Sequence, residues 1–174
     1  MIHDPFPIHY SPFSISHFLT FLFWANTHRY QVTEFGLPGM RILQFGFSSP
    51  SDPFLPHNYI QHCVAYTGTH DNDTALGWLA TASQKERDLA LRYLHSDGHD
   101  FAWDLIRAIW SSVAMFAVAP MQDVLSLGGE ARMNYPSRLG GNWEWRMGAD
   151  DMSDALAEKL ADLNFIYLRG AESR

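Results

Sequence analysis

The sequence holds one cysteine, Cys63, among 174 residues. A single thiol cannot build a disulfide framework, and it excludes a cysteine-rich zinc site. Basic residues are scarce as well. Twelve Lys and Arg stand against 19 Asp and Glu, a formal net charge of -7. That balance argues against a general nucleic-acid binder, because phosphate contacts need cationic surface. Long apolar runs are missing too. The run at residues 18–25 is far shorter than the roughly 20 residues a membrane-spanning helix requires. No Lys or Arg precedes it and no small-residue cleavage site comes after it, so it does not read as a signal peptide. A cytoplasmic protein without membrane or nucleic-acid partners is therefore expected. The phosphate-binding glycine spacing is also absent, since Gly128-Gly129 and Gly140-Gly141 do not form a G-x-G-x-x-G pattern.

What the sequence does have is apolar mass. Hydrophobic residues make up 47% and aromatics 14%, enough to bury a sizeable core and unlike a disordered chain. The length fits one domain or a piece of a larger one. The first thirty residues differ from the rest. Arg29 and Asp4 are their only acid or base, and His3, His9, His17 and His28 fall here without ligand-like spacing. Pro5, Pro7 and Pro12 disfavour regular structure. The segment reads either as a buried hydrophobic helix or as sequence foreign to the rest of the domain. The expected division is thus 1–30, of unknown role, and 31–174.

From residue 31 the punctuation becomes regular. Short apolar runs at residues 40–47, 63–68 and 116–119 read as buried strands. Ser83 and Glu86 have the spacing of a capping box, with Leu89, Ala90, Tyr93 and Leu94 after them at helical intervals. After Asp100, Phe101, Leu105, Ile109 and Val113 mark one helical face with Trp103, Ile106 and Trp110 beside it, which predicts burial on more than one side. Ser153 or Asp151 can cap a last helix, with Leu156, Leu160, Leu163 and Tyr167 inward and Gly170 ending it. Strands alternating with helices predict an α/β fold with a parallel sheet. Polar loops at residues 48–58, 69–74 and 122–145 come after the strands, where parallel α/β folds place their sites.

Two of these loops carry candidate chemistry. His70 and Asp71 come directly after the second strand, and a carboxylate beside a histidine can grip vicinal hydroxyls, move a proton or hold a metal. The structural alternative is that Asn72, Asp73 and Thr74 cap a helix beginning near Leu76. A metal would need a third ligand, for which His57 and His62 are the candidates, but no i,i+4 ligand spacing supports one. The loop from Gln122 to Arg146 mixes amides, aromatics and Arg–carboxylate partners. That mixture suits a sugar site, where rings stack on sugar faces and amides read hydroxyls. It equally suits a rigid, salt-bridged cover over a core.

A series of ordered runs bears on these readings. They are Phe35-Gly36-Leu37-Pro38-Gly39-Met40, Leu43-Gln44-Phe45, Leu55-Pro56-His57-Asn58-Tyr59, and Tyr66-Thr67-Gly68-Thr69-His70-Asp71-Asn72-Asp73-Thr74. Further along the chain are Leu76-Gly77-Trp78, Gln122-Asp123-Val124-Leu125, Glu130-Ala131-Arg132-Met133-Asn134, Gly141-Asn142-Trp143 and Trp145-Arg146. With them, the chain from about Val32 to Gly170 resembles the C-terminal part of the 4-alpha-glucanotransferases, the amylomaltase or disproportionating enzymes of glycoside hydrolase family 77.

The resemblance implies about the last three βα units of a (β/α)8 TIM barrel. It implies a retaining transfer of an α-1,4-glucan segment to the 4-hydroxyl of an acceptor, with maltooligosaccharides, starch or glycogen as partners. No cofactor and no metal are implied. Asp71 corresponds to the family's transition-state-stabilising carboxylate, which grips ring hydroxyls of the sugar at the cleavage point. His70 corresponds to a contact of the same sugar, Asn134 to a substrate-binding residue and Phe45 to an acceptor-side wall. Asp73 retains the capping role. The family's acid/base Glu belongs in a Glu-Asp-Leu-Gly-like strand shortly before Phe35, and its nucleophile Asp lies further upstream. Neither motif occurs, and Glu34 is the first glutamate. Ser48 and Ser49 stand where the family often carries Asp. The expectation is a truncated member, inactive in isolation, with a non-catalytic glucan-binding fragment or a degenerate remnant as alternatives.

Overall fold

The computed structural model describes residues 36–170. The expected N-terminal segment of residues 1–30, with its apolar run, lies outside the described residues. The chain divides into two units, Met1–Leu37 and Pro38–Arg174. Of the first, only Gly36 and Leu37 are described, and every element below belongs to the second.

Three strands form a parallel sheet in the order β1 (Gly39–Ile42), β2 (Cys63–Tyr66), β3 (Phe116–Val118). Cys63 pairs with Gly39, and Ala65 lies between Arg41 and Ala117. Helices α1 (Ala75–Thr81), α2 (Gln84–Leu94) and α3 (Phe101–Trp110) separate β2 from β3. A short α4 (Met121–Val124) succeeds β3, and α5 (Asp154–Ile166) comes last. The expected α/β alternation with parallel strands is what the chain forms.

Alternation along the strands decides what each face does. Cys63 and Ala65 are fully buried, and Ala117 packs beside them against the core. That core joins Leu43, Phe47 and Leu55 to Phe101, Leu105 and Ile109, with Trp78 stacked on Phe101 at 5.8 Å. The opposite face carries Val64, Tyr66, Phe116 and Val118. Phe116 is 55% exposed and Val118 42%.

Helix α3 shows the two-sided burial its sequence predicts. Phe101, Leu105 and Ile109 enter the first core, while Trp103 and Ile106 meet Val124 and Leu163 in a second. Val113 does not continue that face. The helix stops at Trp110, the Ser111 and Ser112 hydroxyls turn back to Ala108 O and Ile109 O, and Val113 is exposed. The capping box at Ser83 and Glu86 is formed as expected.

Besides the end of α3, and the second strand's end at Tyr66 rather than residue 68, two further boundaries differ from the sequence reading. The first strand ends at Ile42, and residues 43–48 form a 3-10 turn. An apolar run cannot by its periodicity choose between strand and buried turn. Here a Cβ on Gly46 would come within 3.0 Å of Leu55 and the Phe54 backbone, so only glycine permits this close approach. The last helix is capped by Ser153 and ends at Ile166 rather than at Gly170. Of its expected inward residues only Leu163 is buried, with Leu156, Leu160 and Tyr167 packed partly against the second core. After it, the Arg169 guanidinium donates to Trp110 O, Ala114 O and Ser112 O at 2.6–2.8 Å, satisfying carbonyls at and beyond the end of α3. Among the described residues no helix is long and apolar enough to cross a membrane.

Candidate functional site

The carboxyl ends of β1, β2 and β3 lead into the 3-10 turn with Phe45, the loop with His70 and Asp71, and the segment that reaches Asn134. The second loop is tightly organised. The Asn72 side chain accepts from Thr69 N at 2.9 Å and from Thr69 Oγ1 at 2.7 Å, closing a turn around His70 and Asp71. Thr74 then caps α1 by accepting from Gly77 N at 3.1 Å. The expected capping role of Asp73 is therefore corrected. Its carboxylate accepts from Thr74 N and lies where a side chain at Gly77 would collide with it, with Arg132 Nη1 3.9 Å away.

His70, Asp71 and Asn134 come together. Asn134 Nδ2 donates to Asp71 Oδ1 at 2.6 Å, and His70 Nε2 lies 3.4 Å from the same oxygen. Asn134 N donates to His70 O at 3.1 Å. Arg132 ties the two segments further, giving Nη2 to Asp71 O at 2.7 Å and Nε to Asn134 O at 2.9 Å. Its guanidinium also lies 4.5 Å over the Tyr135 ring. Trp143 tilts against His70 with ring centroids 5.0 Å apart. Trp143 has φ of 63°, a left-handed conformation uncommon for a bulky side chain. Such a residue persists where its surroundings hold it. Here Trp143 N donates to Met133 O at 2.7 Å, and the neighbouring Asn142 accepts from Tyr135 N. Phe45 stands apart from this network, half exposed and edge-on to Phe54 at 5.9 Å.

A cleft of about 210 Å³ opens beside the loop, lined by His70, Asp73, Gln122, Asp123, Arg132 and Trp143 among others. Among the described residues no three His, Cys, Asp or Glu side chains gather to hold a metal. His57, weighed as a third ligand, spends its ring nitrogens on Tyr93 Oη and Pro50 O.

The site also rests on residues that sequence reading left without a role of their own. Asp123 is 1% exposed and accepts from Thr67 Oγ1 at 2.6 Å and Ala75 N at 2.7 Å. Gln44 donates to Asp73 O at 2.9 Å. The residues from Gln122 onward, read as loop, begin within α4. No local spacing signals these partners, because they lie 29 to 56 positions apart.

Burial pushes the Asp123 carboxyl above the ordinary carboxylate range, with its two hydrogen bonds opposing the shift and Asp73 adding to it. A raised folded-state value means the folded chain takes up this proton before the unfolded chain does. Relative to Asp123→Asn, the parent chain thus gains stability as pH falls from neutral through the raised value, levelling off below the ordinary range. Paired urea denaturations at neutral and mildly acidic pH check that sign.

The family model for 4-alpha-glucanotransferase, glycoside hydrolase family 77, matches residues 25–151. The chain belongs to the 4-alpha-glucanotransferase family. It is 48% identical over 137 residues to the 4-alpha-glucanotransferase of Clostridium butyricum, covering 77% of this chain and 28% of that protein. It is 52% identical over 136 residues to the Thermus thermophilus 4-alpha-glucanotransferase, covering 73% and 27%. Among solved structures, an amylomaltase from Streptococcus agalactiae in complex with acarbose superposes with a TM-score of 0.76 at 32% identity, over 80% of this chain and 29% of that one. The chain spans just over a quarter of the length of these relatives. Its three parallel strands and their helices are a portion of a (β/α)8 barrel. The site segments that carry His70, Asp71, Asn134 and Phe45 all lie inside the matched residues.

Proposed function

We propose that this 4-alpha-glucanotransferase chain supplies the sugar-gripping part of a retaining transfer site for α-1,4-glucans such as maltooligosaccharides, starch or glycogen. In this reading Asp71 holds ring hydroxyls of the sugar at the cleavage point and favours its oxocarbenium-like form. His70 contacts the same sugar, Asn134 binds substrate and Phe45 walls the acceptor side. The single observation that carries the reading is the Asp71–Asn134 bond of 2.6 Å. It presents a carboxylate and an amide together, the pair of groups that reads sugar hydroxyls, beside His70 and Trp143.

Transfer itself needs a nucleophile and an acid/base. The sequence holds no Glu-Asp-Leu-Gly-like motif, and Asp4 and Glu34 are its only acids before Phe35, so in this reading these 174 residues alone bind glucan without turning it over. No cofactor enters this reading, and the setting is cytoplasmic. The neighbouring amylomaltase was solved with acarbose, which makes acarbose a suitable probe. Titrating acarbose into the chain shifts its tryptophan fluorescence, through Trp143 against His70. Asp71→Ala weakens that titration by on the order of tenfold or more, since a hydrogen bond to a charged group contributes roughly 1.5–3 kcal/mol. An unchanged titration in the variant rejects the role of Asp71.

A further inference from the structure

The His70–Asp71 loop is pinned from one direction that the sugar-site reading does not use. Residues 68–74 leave the sheet at Thr67 and enter α1 at Ala75. Asp123 binds both of those flanking residues with its two carboxylate oxygens, Oδ2 to the Thr67 hydroxyl and Oδ1 to the Ala75 amide. The Ala75 amide is one of the helix-start donors with no partner inside the helix, and a negative charge is favoured there. Thr74 satisfies a second such donor, at Gly77. The preceding residue, Gln122, donates to Ala131 O at 3.3 Å and so holds the segment that runs on through Arg132 to Asn134. Both side chains are buried. Consecutive residues of α4 thus hold the two halves of the site, one the Asp71 loop and the other the Asn134 segment. Burying a carboxylate is costly unless it is fully bonded, so the two bonds at the loop ends are what compensate Asp123.

We propose that Gln122 and Asp123 are positioning residues, a two-pronged clamp on α4 that fixes Asp71 against Asn134. The proposal rests on the glucan-site reading for its purpose, but the clamp can be read independently. Asp123→Leu keeps the approximate volume and removes the acceptors of both the Thr67 hydroxyl and the Ala75 amide. Thr67→Val removes one donor at a fully buried position. Hydrogen exchange of peptides covering residues 68–76 reads the clamp. The expected result is exchange faster by on the order of tenfold there, with the peptides of α2 unchanged. Acarbose affinity falls by a similar factor and the His70 ring-proton resonances move, while the melting temperature falls modestly because a buried hydrogen bond is lost. A merely structural role accelerates exchange throughout the chain and leaves the His70 resonances in place, which overturns the proposal. Parent-like exchange in residues 68–76 overturns it too. If Asp123→Leu unfolds outright, Thr67→Val decides, with local acceleration supporting the clamp and its absence rejecting it. If the parent chain does not bind acarbose while the local exchange effect and the His70 shift persist, the sugar reading fails and the clamp stands.

Discussion

Incubated with maltotriose, the polypeptide of these 174 residues releases no glucose above the protein-free background and builds no longer maltodextrins. The reason lies in the groups the proposed site contains. A retaining transfer needs one carboxylate to attack and a second to protonate the leaving oxygen. Asp71 does neither in the proposed role. It is 3.4 Å from His70 Nε2 and bonded to the Asn134 amide, an arrangement for gripping hydroxyls. In the proposed reading these residues supply neither group: positioned general acid catalysis contributes roughly 10²–10⁴-fold, and lack of a nucleophile removes the covalent route as well. On that reading turnover falls below detection while binding persists. Chromatography of the products over a long incubation checks it. Sustained disproportionation, lost in Asp71→Ala, rejects the view that binding is all these residues provide.

The same polypeptide associates as its concentration rises, through the sheet face that carries Phe116 and Val118. Parallel sheets are ordinarily covered on both faces. Among the described residues, helices cover only the face with Cys63 and Ala65, and β3 is an edge strand. Full burial of a Phe or Val side chain contributes about 1.5–3 kcal/mol. With roughly half of each side chain still exposed, the pair retains about 1.5–3 kcal/mol of unrealised burial, or ten- to a hundredfold in an association constant. Exposed edges and apolar patches act in the same direction. Sedimentation of the parent against a Phe116→Ser, Val118→Ser double variant measures this. The double variant is expected to stay monomeric at concentrations where the parent does not. A parent that remains a monodisperse monomer over the whole range overturns the prediction.

Much of the architecture was legible because local chemistry settled it. The capping box at Ser83 and Glu86 needs only residues three apart. The two-sided burial of α3 comes from apolar residues covering most of its circumference. Alternating strands and helices led directly to a parallel sheet. Boundaries were less legible where a distant contact overrode the local pattern. Leu43 to Phe47 looks like strand until Phe54 and Leu55 press on Gly46. Thr74, not Asp73, became the cap because the Asp73 carboxylate packs over Gly77 and towards Arg132.

The sequence by itself determined the family and the identity of the residues that could carry chemistry, because those lie in ordered runs whose spacing is local. It determined the absence of a disulfide framework by counting one cysteine. Only the tertiary structure decided that His70, Asp71 and Asn134 meet while Phe45 stands apart, and that Asp123 holds the loop at both ends. The physical reason is separation. Asn134 and Asp71 are 63 positions apart, and Asp123 and Thr67 are 56. Chain spacing at that range says nothing about distance until the parallel register brings the ends of the strands to one edge.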